Sequence, residues 1–393
     1  MPPIYLDNHA TTRTDPRVVD AMLPFFSETY GNSGSSSHAF GWEAKEAVDR
    51  AREFIADRLG AMASEIVFTS GATESNNLAI RGVCEQPKRQ NGHIISVATE
   101  HPAVLDPLRR LARRGWEIEL LPIKDQSHPD AGRLELDRLE NAIRDDTVLV
   151  SVMLANNEIG VLQPLEEIGR LCKQKGVLLH CDATQAVGRI PVHVETLNVD
   201  LLSFSGHKIY GPKGVGALYV RRRKPRVRLA AQIEGGRQEN GFRSGTLNVG
   251  GIVGLAKALA LCLEELPQEE MRLRSLRDRL YQGVAEHVPD CTLNGPLLEP
   301  ADWRLAHNLN LCFGDVDGEA LMMSMKEIAV SSGSACTSAA PEPSRVLLSL
   351  GKTDDQARAS LRFGLGRFNT AEEIEFTINS LNESLARLRQ LKA

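Results

Sequence analysis

The chain has no apolar run approaching the ~20 residues that a membrane-spanning helix needs. Its opening residues, Met1 to Asp7, lack the apolar core of a secretory signal, so the cytoplasm is the expected location. Cysteine is sparse and scattered. The seven residues Cys84, Cys172, Cys181, Cys262, Cys291, Cys312 and Cys336 are odd in number and never spaced C-x-x-C. A disulfide framework and a structural zinc site are therefore not expected, nor is any resident metal. An excess of one charge is also missing. Forty-six Lys and Arg stand against 51 Asp and Glu, for a net charge of -5, which offers neither a nucleic-acid surface nor a membrane surface. The basic run Arg221–Arg228 is interrupted by proline and follows a strand, so it reads as solvated surface. Internal repeats are absent.

What is present is a long chain of ordinary composition. At 393 residues it exceeds the size at which one hydrophobic core stops growing, so two lobes are expected. Apolar segments read as strands at Glu65–Ser70, His93–Val97, Thr147–Met153, Val177–Cys181 and Leu201–Ser205. Amphipathic stretches such as Trp42–Leu59 and Leu165–Gln174 lie between them. This alternation predicts an α/β fold with a mainly parallel sheet covered on both faces, and ligands in such folds bind at the carboxyl ends of strands. From about Leu266 the texture changes to a smaller α+β lobe: a charged helix over Glu269–His287, short strands at Asn308–Phe313 and Ile328–Ser331, and a closing helix over Ala371–Leu391.

The residues suited to chemistry sit at the predicted strand ends. Ser70-Gly71-Ala72-Thr73-Glu74-Ser75 is a glycine turn opening a helix, where free N–H groups and the helix dipole favour an anion. Alone, it reads more simply as a helix start capped by Thr73 or Ser75. Asp182, at the end of an apolar run, needs a partner to be worth burying, and a protonated pyridine nitrogen is one; capping a following helix is another. Lys208 lies between glycine turns at a strand end, a setting for an amine that forms a Schiff base, with Ser205 and His207 beside it as phosphate donors. His101 follows a strand and can stack on a flat ring or move protons, although a lone histidine is more often structural. Asn156-Asn157-Glu158 suits either a ligand or a turn. Cys336 stands in a run of small residues, Ser331 to Ser338, which predicts an exposed thiol on a mobile loop.

These pieces occur together and in order. Asp7-Asn8-His9-Ala10-Thr11-Thr12, SGATESNNLAI, TEH, NNEIG, DATQ, SGHKIYGPKG, RSGTLN, SSGSACTS and LRFGLGRF resemble the cysteine desulfurases of the NifS/IscS type, over essentially the whole chain. The small-residue cysteine loop is similar to the long-loop group of that family. The resemblance implies a homodimer of the fold type I, aspartate-aminotransferase-like class of pyridoxal-phosphate transferases. It implies a large domain over 16–262 and a small domain, over 1–15 plus 263–393, that carries the cysteine loop. Pyridoxal 5'-phosphate is then the cofactor, bound to Lys208. Asp182 would pair with its ring nitrogen and His101 would stack on the ring. Asn157 and Gln185 would face the ring oxygen. Ala72, Thr73, Ser205 and His207 would hold the phosphate, with Thr246 reaching it from the other subunit. Arg362 would grip the substrate carboxylate, together with Asn157. The family's Ser33, Ser36 and Cys181 positions commonly hold proline, arginine and valine instead.

The activity implied is removal of sulfur from L-cysteine, giving L-alanine and a persulfide on Cys336. That sulfur would pass to an acceptor protein, such as an iron–sulfur scaffold, or toward tRNA thiolation. Cys336 is also the residue that would touch a passing iron–sulfur cluster. No membrane and no direct nucleic-acid contact are expected. The competing readings are a selenocysteine lyase or an aminotransferase on the same scaffold, a non-catalytic scaffold protein that kept the fold, and a Cys336 that is only a redox-sensitive surface thiol.

Overall fold

The computed structural model describes residues 3–87, 91–288, 290–314, 316–332 and 342–392. The larger of its sheets has seven strands: β1 Ile66–Thr69, β2 His93–Val97, β3 Glu117–Leu121, β4 Thr147–Ser151, β5 Leu178–Asp182, β6 Leu201–Ser205 and β7 Gly216–Val220. Their spatial order is β1-β7-β6-β5-β4-β2-β3. The neighbours from β3 to β6 pair in parallel, and β7 runs antiparallel to both β6 and β1. The sheet is thus mainly parallel, as the strand–helix alternation predicts.

Strand burial follows position in the sheet. Every residue of β1, β2, β6 and β7 is buried, as expected of strands covered on both faces. Edge strand β3 carries exposed Glu117 and charged Glu119, which blunt the open edge. Side chains alternate between faces. Ile66 and Phe68 enter one core beneath helices α1 (Ala39–Leu59), α4 (Leu165–Lys175) and the first half of α5 (Val249–His287). Val67 enters a second core, on α2 (Ala72–Cys84) and α3 (Pro102–Ala112). Gly60 and Gly176 end α1 and α4 in the left-handed conformation, at φ 70° and 71°, where a Cβ would be strained.

A third core lies on a four-stranded antiparallel sheet. Its strands are β8 Thr292–Leu293, β9 Asn308–Cys312, β10 Ser331–Ser332 and β11 Ser360–Gly364, in the order β10-β11-β9-β8. Helices α6 (Gly318–Ser324) and α7 (Ala371–Lys392) cover it, and Ile4 and Leu6 of the N-terminal segment pack into it. Two sequence expectations change here. Helix α5 is continuous across Leu266 and Pro267, so the change of texture there is a change of burial partner: Ile252 to Cys262 pack into the first core and Leu273 to Val284 into the third. The expected strand Ile328–Ser331 is two strands. Ile328–Ala329 pairs with Ile4–Tyr5, whereas Ser331–Ser332 pairs with β11.

Candidate active site

Parallel strands place their carboxyl ends along one edge of the sheet, and the loops leaving β1, β2, β4, β5 and β6 meet there around a cavity of about 620 Å³. Ten of the twelve sequence-predicted residues line it: Ala72, Thr73, His101, Asn157, Asp182, Gln185, Ser205, His207, Lys208 and Arg362. Thr246 is exposed and does not line the cavity of its own chain. Cys336 lies outside the described residues.

The helix start after β1 is open. Its N-cap is Gly71, at φ 149°, and no side chain caps it. The expected cap role of Thr73 or Ser75 is not what the structure has, because Ser75 Oγ turns to Thr69 Oγ1 at 2.8 Å. Strand β7 presses on this turn. A Cβ on Gly216 would stand 2.7 Å from Gly71 Cα, so only glycine fits. The first turn of α2 therefore presents unspent amide donors and the positive end of its dipole to the cavity. His207 stands nearby, with Nδ1 3.1 Å from Thr11 Oγ1. Burial, then the charges of Lys208 and Lys213, push its pKa down to about 4, so the ring is neutral at physiological pH.

Asp182 ends β5 and is 5% exposed. It accepts hydrogen bonds from Asn76 Nδ2 at 2.7 Å and from the Thr184 backbone N–H at 3.0 Å. A turn follows it, not a helix, which removes the reading of Asp182 as a helix cap. His101 is the N-cap of α3, with Nδ1 accepting from the Ala103 N–H at 3.0 Å. That bond places the ring proton on Nε2. Burial is the largest influence on this ring and lowers its pKa, while Asp182 pulls the other way. Neutral imidazole is thus the form presented to the cavity.

Lys208 leaves β6 on a single 3-10 turn and donates from Nζ to the carbonyls of His9, at 2.5 Å, and Ala10, at 2.7 Å. Gln185 holds the same segment: Nε2 donates to His9 O at 3.0 Å, and Oε1 lies 3.1 Å from His9 Nδ1. Arg362, 3% exposed, enters from β11. Its Nη2 donates to Asp7 Oδ1 at 2.7 Å and its Nη1 to Asn157 O at 3.1 Å, while buried Nε has no hydrogen-bond partner among the described residues.

The sequence reading missed Asn76, Thr184, Asp7 and the His9–Ala10 carbonyls. Asn76 had a signal, since it lies four residues past Ala72 and so on the same face of α2. Buried Asn76 Oδ1 and Thr184 Oγ1 also lack hydrogen-bond partners among the described residues, although both residues line the cavity.

This donor set fits pyridoxal phosphate. An open helix start suits a phosphate, a buried carboxylate suits a protonated ring nitrogen, and an amine and a flat imidazole line the same cavity. Among the described residues no group of three or more His, Cys, Asp or Glu is placed to hold a metal ion, and no helix is long and apolar enough to cross a membrane.

Comparison with known proteins points the same way. Residues 4–376 match the class-V aminotransferase family. The chain is 53% identical over 390 residues to cysteine desulfurase IscS of Anaeromyxobacter dehalogenans, covering 99% of this chain and 94% of that one. It is 53% identical over 391 residues to IscS of Klebsiella pneumoniae, with the same coverage. Among solved structures, a NifS-like protein superposes with a TM-score of 0.89 at 37% identity, covering 98% of this chain and all of the other. An SspA structure in complex with cysteine superposes with a TM-score of 0.81 at 35% identity, over 93% of this chain and all of that one.

Proposed function

The chain belongs to the class-V aminotransferase family and, within it, to the pyridoxal-phosphate-dependent cysteine desulfurases, and from that premise we propose which of its residues carry the reaction. The observation that supports the assignment best is the convergence of Lys208, Asp182 and the uncapped start of α2 on one cavity. When bound there, pyridoxal phosphate supplies an electron sink conjugated to the substrate Cα.

The chain's own residues do the rest. The first turn of α2, with Ser205 and His207, anchors the phosphate. Asp182, oriented by the bonds it accepts from Asn76 and Thr184, would pair with the protonated ring nitrogen. Lys208 Nζ binds the cofactor at rest and carries the proton to and from the substrate Cα. His101 stacks on the ring and presents Nε2–H. Gln185 and Asn157 face the ring oxygen. Arg362 holds the substrate carboxylate, a planar acceptor that matches its fork. The thiolate of Cys336 attacks the substrate sulfur. The S–S bond forms as the Cβ–S bond breaks, a proton goes to Cβ, and the products are L-alanine and a persulfide on Cys336. That persulfide is handed to a sulfur-acceptor protein. Exposed Thr246 completes the phosphate site of a partner subunit.

The test is to add L-cysteine and a reductant to the loaded enzyme and to measure sulfide and alanine together. Equimolar products are expected. Cys336→Ser should keep the visible cofactor band and form no protein persulfide. A keto acid in place of alanine, or unchanged sulfur release from Cys336→Ser, would overturn the assignment.

A further inference from the structure

Two residues beyond Lys208, Tyr210 is fully buried at φ 62°, a conformation that a residue with a Cβ keeps only where its surroundings impose it. The guanidiniums of Arg189 and Arg367 each lie 4.3 Å from the centre of its ring. The phenol oxygen accepts from Arg189 Nη1 at 2.8 Å and from the Arg367 backbone N–H at 2.6 Å, and donates to Glu269 Oε1 at 2.9 Å. One donor and two acceptors are all a phenol has, so the group is saturated. Burial is the main cause that raises this phenol to about 12, which keeps its proton in place. Arg367 extends the cluster to Asp15 at 2.8 Å and to Glu269 at 2.9 Å.

The cluster reaches the lysine directly. Arg189 Nη2 donates to the backbone carbonyl of Lys208 at 3.1 Å. The flanking backbone is tied down by the N-terminal segment. Thr12 Oγ1 donates to His207 O at 2.9 Å and accepts from the Tyr210 N–H at 2.8 Å, and the Asp15 N–H donates to Tyr210 O at 2.9 Å. Buried ion clusters are poor evidence of stability, since desolvation offsets their attraction, but they do select one geometry over others. The geometry selected here is that of residues 207–210.

We propose that Arg189 and Tyr210 are positioning residues for Lys208, fixing the backbone so that the side chain alone moves between the His9 and Ala10 carbonyls and the cavity. The inference rests on Lys208 being the cofactor-bearing lysine. A fixed base confines the amine to the reacting geometry, and a loosened one makes it search.

Arg189→Met removes the fork while leaving every cavity-lining side chain in place. Loss of one charge-assisted bond to the Lys208 carbonyl should lower kcat about tenfold, with KM for cysteine within about twofold. In enzyme stripped of cofactor and then given pyridoxal phosphate, the visible band of the lysine-bound form should grow about tenfold more slowly than in wild type. The pH at which that band changes colour should also move. Tyr210→Phe should show the same pattern more weakly, and Arg189→Lys is read in the same way if Arg189→Met does not fold. Arg17→Met is the structural control, because Arg17 pairs with Asp15 and Glu265 at the outer edge of the cluster. It should lower Tm without changing the band. Borohydride reduction of the loaded wild type followed by peptide mass separates the two claims. A label on another lysine would sink the site assignment. A label on Lys208, with band growth and colour change in Arg189→Met like those of wild type, would overturn the positioning role alone.

Discussion

Asn76→Ala isolates the support of Asp182 from the rest of the site. The bond from Asn76 Nδ2 to Asp182 Oδ2 is 2.7 Å long, and both residues are buried. A hydrogen bond to an ionised group out of water contributes about 1.5–3 kcal/mol. The backbone bond from Thr184 remains, so the carboxylate keeps one of its two donors. Asn76 Oδ1 has no hydrogen-bond partner among the described residues, so deleting it strands none of them. If the negative charge on Asp182 acts mainly in the transition state, the full 1.5–3 kcal/mol appears as a fall in kcat of about 10- to 160-fold. KM for cysteine should change little, because Arg362 is held by Asp7 and the Asn157 carbonyl and bonds neither Asn76 nor Asp182. The assay is alanine release at saturating cysteine, with the loaded enzyme titrated by visible absorbance over the same pH range. Asn76→Asp places a second carboxylate beside the first and should be worse than alanine. A kcat within twofold of wild type, with only Tm lowered, would refute the claim that Asn76 acts through Asp182.

Arg362→Lys loses the fork that now spans Asp7 and the Asn157 carbonyl; KM for cysteine should rise at least about tenfold with a smaller change in kcat, read from steady-state kinetics. The Glu158 carboxyl is pushed up to about 7 by burial, against the bond from Ser344 and the charge of Arg362. The folded state therefore keeps a proton that the unfolded state releases near pH 4.5, and stability falls as pH rises from there to about 7. Glu158→Gln should remove that decline, at most about 3 kcal/mol, and thermal melts at pH 5 and pH 8 measure it. Gly216→Ala drives a Cβ to within 2.6 Å of the Phe204 carbonyl oxygen and 2.7 Å of Gly71 Cα. Backbone must move to admit it, so Tm should fall by an amount equivalent to about 1–3 kcal/mol, and pyridoxal-phosphate affinity, measured by equilibrium binding, should fall with it.

Strands β2 and β6 are legible to the residue because both are short apolar runs buried on both faces, where hydrophobicity and position agree. Strand β3 is not, because its Glu117 and Glu119 answer to an open edge rather than to a core, and they mask the period. The antiparallel course of β7 is invisible for another reason. Direction belongs to the connection, and the tight Tyr210–Val215 turn after Lys208 leaves no room for the helix that a parallel return needs. The same division runs through the site. Lys208, Asp182 and Gly71 are readable because each stands where a strand ends, which a local pattern reports. Their supports are not. Asn76 meets Asp182 across 106 positions, and Lys208 meets the carbonyl of His9 across 199. A backbone carbonyl leaves no mark on the residue type that carries it, so no motif announces that the Asp7–Thr11 segment holds the lysine amine. Motifs therefore locate the groups that react, while the groups that hold them come from folding the N-terminal segment back over the edge of the sheet. The order in which substitutions inactivate the enzyme should follow contact with Lys208 and Asp182 in space rather than distance from them along the chain.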